Sequence, residues 1–189
     1  MGAWDERGGQ GGRGWGKRAP THLCIVPWNA RMDGRREFRV FVPPAMGSSR
    51  SESGEGTRGL RIAAISQYRW HEAYRAPWDG VGVEKTARRL VEGAERLLRE
   101  IVAFAARLNW QGEGDDIVKE TLLHVLEERG FAFDVVAMGE GAGGGGDDDG
   151  DYEVQLVELN PFGATTGCGS LLFHWIKDAG VLYGLEEED

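Results

Sequence analysis

From Glu84 to about Asn109, the apolar residues Leu90, Val91, Ala94, Leu97, Leu98, Ile101, Val102, Ala105 and Leu108 recur at helical spacing. This spacing predicts one long helix with a single apolar face. A second helix is expected to start at Asp115 or Asp116, either of which can cap free amides. It would bury Ile117, Val118, Thr121, Leu122 and Val125 and stop at Gly130. Elsewhere the period is two. Phe38, Val40 and Val42 alternate with Glu37, Arg39 and Phe41, which predicts a strand carrying a charged pair on one face. Residues Ile62 to Gln67 read as its partner strand, with Ala63, Ile65 and Gln67 on a common side. Segments 131–138 and 152–160 are two more expected strands, and a short helical stretch is expected around Ser170 to Asp178. The order strand, strand, long helix, helix, strand, strand, helix indicates an α+β domain: an antiparallel sheet with packed helices.

The last two strands carry the candidate chemistry. Asp134 stands alone in the apolar run Phe131–Val136, and Glu158 and Asn160 share one side of their strand about 7 Å apart. Antiparallel pairing with Asp134 opposite Glu158 sets Met138 against Val154, Val136 against Leu156 and Ala132 against Asn160. It sets Phe133 against Leu159 and Val135 against Val157 on the other, apolar face. Two carboxylates facing each other at about 5 Å repel unless a cation or a shared proton intervenes. Oxygen ligands with no convergent His or Cys favour magnesium over zinc, so Asp134, Glu158 and Asn160 form a candidate magnesium site. The competing reading is a pair of solvent-facing strand acids.

A chain of 189 residues with 41% hydrophobic content buries one ordinary core. The net charge of −9 comes largely from Asp147, Asp148, Asp149, Asp151 and the tail 186–189, and it argues against a direct nucleic-acid partner. Cys24 and Cys168 form neither a CxxC pair nor a disulfide framework, which suits a reducing compartment. With no signal-like apolar region and no run of about 18 apolar residues, no membrane role is expected and a cytoplasmic location is the default. Residues 1–20 read as a disordered Gly/Arg-rich tail ahead of a domain over 21–185. Residues 43–60 and 139–151 read as flexible loops, and the acidic second one lacks the spaced ligands of an EF-hand.

Five ordered motifs carry a resemblance. Glu37-Phe38-Arg39-Val40-Phe41-Val42, Ala64-Ile65-Ser66-Gln67, Phe133-Asp134-Val135, Glu158-Leu159-Asn160-Pro161-Phe162-Gly163 and Ser170-Leu171-Leu172-Phe173-His174-Trp175 resemble the cell division cycle protein 123 family from about His22 to Tyr183. The resemblance implies the C-terminal lobe of an ATP-grasp type fold that binds ATP and Mg2+. It also implies a role as an assembly factor for eukaryotic translation initiation factor 2, through its gamma subunit. It places Asp134, Glu158 and Asn160 on the metal and Arg39 and Gln67 on the nucleotide. Arg39 would grip phosphate oxygens in a bidentate way, the alternative being an ion pair with Glu37.

The departures from the family pattern also have consequences. Glu158 stands where the family often has Asp, and Glu there is usual in ATP-grasp carboxylate ligases, which keeps an enzymatic alternative open. Val26-Pro27-Trp28 replaces basic residues, and Gly167-Cys168-Gly169 replaces a Thr-Asp step. Cys168 is expected to be structural, because no adjacent base is identifiable. Most of the lobe that covers ATP has no counterpart, so weak ATP binding is expected, and a truncated paralogue that does not act on ATP is a third reading.

Overall fold

A computed structural model describes residues 32–45, 59–73, 82–108, 121–138 and 153–185. The tail at 1–20, most of the loop at 43–60 and the loop at 139–151 lie outside these residues, as do Cys24 and the expected helix start at Asp115 or Asp116. A 3-10 turn, Gly34–Arg36, leads into β1 (Glu37–Val42). There follow β2 (Ala64–Gln67), α1 (Val83–Arg107), α2 (Leu122–Arg129), β3 (Phe131–Met138), β4 (Glu153–Pro161) and a single turn of helix, α3 (Ala179–Leu182). The strands form one antiparallel sheet in the order β2-β1-β3-β4, so the protein is α+β as its periodicity predicts.

The expected helix face of α1 packs on one side of the sheet. Leu90, Ala94, Leu97, Leu98, Ile101, Val102 and Ala105 meet Phe38, Val40, Val42, Phe133, Val135 and Val154 in the main core. Val91 and Leu108, counted on that face, are instead exposed at its rim. α2 starts at Leu122 because Thr121 caps it, its hydroxyl accepting a hydrogen bond from the His124 amide at 3.2 Å. Thr121 is thus an exposed cap rather than a core contact.

The strand register departs from expectation at one point. Phe133 pairs with Leu159, Ala132 with Asn160 and Asp134 with Glu158 as predicted, but Val135 pairs with Leu156, Val136 with Gln155 and Met138 with Glu153. Val157 is the extra residue of a bulge. A straight strand would put Val154, Leu156, Glu158 and Asn160 on one face, mixing two apolar groups with two polar ones. The bulge turns Val154 and Leu156 to the helix side and leaves Glu158 and Asn160 on the other. α1 holds this arrangement in place. Arg96 Nη2 donates to the Val154 carbonyl at 2.9 Å, and a Cβ at Gly93 would collide with the Val154 side chain.

The second face is covered in part by the C-terminal segment, where Phe162, Cys168 and Leu182 bury Phe41, Ala64 and Ala132. The helix expected around Ser170 to Asp178 is a series of turns. His174 Nδ1 accepts hydrogen bonds from the amides of Ile176 and Lys177, and Asp178 Oδ2 accepts one from the His174 amide at 2.7 Å. These side-chain bonds use donors that a helix would pair with carbonyls, and Leu171, at φ 58°, is incompatible with a right-handed helix.

Candidate functional site

Beside the C-terminal segment, the second sheet face carries a polar row across three strands. Arg39 on β1 stands opposite Asp134 on β3, which stands opposite Glu158 on β4. Arg39 Nε donates to Asp134 Oδ1 and Nη2 to Oδ2, both at 2.7 Å, a bidentate pair in which neither side chain is more than 6% exposed. Nη1 donates to the Gly169 carbonyl at 2.9 Å and to Cys168 Sγ at 3.3 Å. Glu158 Oε1 lies 3.9 Å from Nη2, and the Tyr68 ring centroid lies 5.3 Å from the guanidinium carbon. The ion partner of Arg39 is therefore Asp134. The hydrogen bonds of the guanidinium go to that carboxylate and to the C-terminal segment, not to Glu37 and not toward an open phosphate position.

The predicted residues divide accordingly. Arg39, Asp134, Glu158 and Asn160 come together. Gln67 does not: it stands opposite Phe38, on the face turned to the main core, and its Nε2 donates to the carbonyls of Arg69 and Glu72. Ser66, not Gln67, lies on the face of the polar row. Buried opposite Arg39, it accepts a hydrogen bond through Oγ from the Leu172 amide at 3.2 Å. Parity is the signal for this, since Ile65 in the core puts Ser66 on the other side. Glu37, Arg69, Trp70 and Leu171 complete an open cleft of about 770 Å3 above the row.

The electrostatics follow from burial and neighbours. Burial pushes the Glu37 carboxyl up, and the charges of Asp134 and Glu158 add to the effect. A hydrogen bond from Asn160 holds Glu158 below its ordinary value, so it is anionic at neutral pH. Burial pushes Asp134 up while the hydrogen bonds and charge of Arg39 pull the other way, and those same bonds hold Arg39 firmly cationic. Burial also pushes the Cys168 thiol up, which agrees with a structural cysteine rather than a nucleophile.

Magnesium takes a near-octahedral set of oxygens, commonly one or two carboxylates completed by phosphate and water. Glu158 fits this demand, with a side chain 54% exposed. Asn160 Nδ2 donates to Glu158 Oε1 at 2.9 Å and to Asp134 Oδ2 at 3.3 Å, which turns its amide oxygen away from both acids. Asp134 does not fit as it stands, because it has no exposed surface and both its oxygens are engaged. Among the described residues, no three His, Cys, Asp or Glu side chains are grouped to hold a metal. Also among the described residues, no helix is long and apolar enough to cross a membrane. In comparisons with known proteins, no family model, curated protein or solved structure matches the chain.

Proposed function

We propose that the protein is an ATP- and magnesium-binding assembly factor of the cell division cycle protein 123 type, built on the C-terminal lobe of an ATP-grasp type fold. It acts in the cytoplasm on the gamma subunit of eukaryotic translation initiation factor 2. The observation that supports this reading most is convergence. Glu37 and Arg39, Asp134, Glu158 and Asn160, and Leu171 come from four of the five resembling motifs, yet they surround or underlie one cleft, although the hydrogen-bonded partners Arg39 and Asp134 are 95 residues apart in the chain. The acid balance of the cleft agrees with it too. With Arg39 committed to Asp134, the corner formed by half-buried Glu37 and exposed Glu158 repels a polyphosphate unless a divalent cation joins them. Magnesium, when bound, neutralises phosphate charge. On the protein side, Glu158 would present its carboxylate to it, oriented by the hydrogen bond from Asn160, while Arg39 holds the neighbouring wall.

An open, one-sided cleft gives modest affinity, because tight nucleotide sites bury most of the ligand. Calorimetry with ATP and Mg2+ is expected to give a Kd weaker than about 10 μM, and submicromolar binding would contradict the one-sided cleft. The purified gamma subunit should be captured by the full chain, and no capture by folded protein overturns the assembly-factor reading. The exposed, anionic Glu158 favours one alternative, an ATP-grasp carboxylate ligase that forms an acyl-phosphate and passes the acyl group to an amine or thiol. Acceptor-dependent ADP release that disappears in Glu158→Ala would establish that alternative instead.

A further inference from the structure

We infer that Asp134 is not a metal ligand but the internal counter-ion of Arg39, and that the pair positions the Gly167–Leu171 wall of the cleft, leaving Glu158 as the protein's metal-facing carboxylate. The metal half of this inference rests on the function proposed above, whereas the counter-ion half stands on the geometry of the pair.

The donor and acceptor inventory carries the argument. A guanidinium has five N–H donors. Two go to Asp134, one to the Gly169 carbonyl and one to Cys168 Sγ, and the remaining Nη2 hydrogen has Glu158 as its nearest acid at 3.9 Å. On the other side, Asp134 Oδ2 takes bonds from both Arg39 Nη2 and Asn160 Nδ2, and Oδ1 takes the 2.7 Å bond from Nε. Turning Asp134 to a divalent cation would strip a guanidinium that is 6% exposed of its counter-ion and set a second cation beside it. Breaking a buried pair in this way is strongly unfavourable. Replacing both members by apolar groups is not, because neither charge is left alone.

The pair also reaches the cleft wall. Arg39 Nη1 grips the chain at Cys168 and Gly169. The same stretch is held from outside by Trp175 Nε1, which donates to the Cys168 carbonyl at 3.2 Å, and by Thr166 Oγ1, which accepts from the Cys168 amide. Gly167, Gly169 and Leu171 then face the cleft. Loss of Asp134 frees Arg39, and the wall loses its attachment to the sheet. Asp134 and Arg39 are accordingly positioning residues.

The test compares full-length wild type with Asp134→Leu, the double variant Arg39→Met/Asp134→Leu, and Glu158→Gln, all in a Cys24→Ser background. The readouts are the melting midpoint, alkylation of Cys168, and the water-proton relaxation enhancement of Mn2+–ATP titrated with protein. Asp134→Leu should lower the midpoint by roughly 10 °C, and the double variant should recover most of that loss. Cys168, 7% exposed in the wild type, should alkylate faster in both. The double variant should lose no more than about 10–100-fold in Mn2+–ATP affinity, the range of indirect effects, while Glu158→Gln loses more.

A double variant that recovers its midpoint but binds Mn2+–ATP as poorly as Glu158→Gln would make Asp134 a ligand and overturn the inference. A double variant that melts as low as Asp134→Leu overturns the counter-ion assignment, and a Cys168 that stays protected in both variants overturns the wall assignment. If wild type gives no enhancement with Mn2+–ATP, the nucleotide reading and the metal half fail together. The melting and alkylation results then still decide the counter-ion half.

Discussion

At the scale of single residues, Glu37 bears the cost of the site. It shares a strand face with Arg39, but that cation is committed to Asp134, so Glu37 is left half-buried and near two other acids. Its folded pKa is raised above the ordinary 4.5, by burial first and then by Asp134 and Glu158. A raised acid binds its proton more readily in the folded than in the unfolded state, so stability falls as pH climbs from the ordinary carboxylate range through the raised value. Glu37→Gln removes that loss. It should raise the melting midpoint by a few degrees at neutral pH, with the gain vanishing below pH 4.5. Glu158 carries the opposite sign: its pKa is lowered, chiefly by Asn160, so its contribution is present at neutral pH and is lost as the solution is acidified. Melting curves of Glu37→Gln and Glu158→Gln across roughly pH 4 to 8 check this, and parallel profiles would rule out the assigned electrostatics.

At the scale of elements, the contact between α1 and β4 sets which side chains reach the cleft. Gly93 gives the bulged strand room, since a Cβ there would lie 2.5 Å from Val154 Cβ, an atom of a stiff, β-branched side chain. Gly93→Ala gains about 1 kcal/mol of helix propensity but incurs about 1–3 kcal/mol of overpacking. The expected outcome in chemical denaturation is a lower midpoint with an unchanged slope, and a stabilised variant would refute the close approach. The sequence made α1, β1 and the Asp134–Glu158 pairing legible, because period and parity are local properties. It did not reveal the bulge, although the apolar Val154 and Leu156 in the same parity as Glu158 and Asn160 are its trace. Parity put Gln67 on the side of Ile65, where it stands; its expected role at the nucleotide came from the resemblance, and the same parity puts Ser66 on the face of Arg39. The partner of Arg39 was beyond sequence reasoning, since Glu37 and Asp134 are both acids within reach of a strand model. Gly169, 130 residues away, completes its bonding only through the fold.

At the scale of the whole molecule, the sheet is a middle layer, and the cleft lies at the seam between its second face and the C-terminal segment. That segment is held by aromatic edges rather than by helix: Trp175 meets Phe162 at 5.0 Å and Phe41 at 5.8 Å, and Phe162 meets Tyr183 at 5.1 Å, all near perpendicular. Arg61 ties its far end to the sheet side of the molecule by donating to the Gly184 carbonyl. Leu182 is fully buried beneath this cluster and does not line the cleft. Leu182→Ala should therefore cost about 2–5 kcal/mol, a drop of roughly 5–15 °C in melting midpoint. Because Arg39, Cys168 and Phe41 link the segment to β1, the loss is expected to spread through the whole fold, not to melt the segment alone. Near- and far-ultraviolet circular dichroism should then give coincident transitions in wild type and variant alike. A variant whose near-ultraviolet signal melts first, with the far-ultraviolet signal intact, would show that the second layer folds separately and that the cleft has a wall able to open without unfolding the sheet.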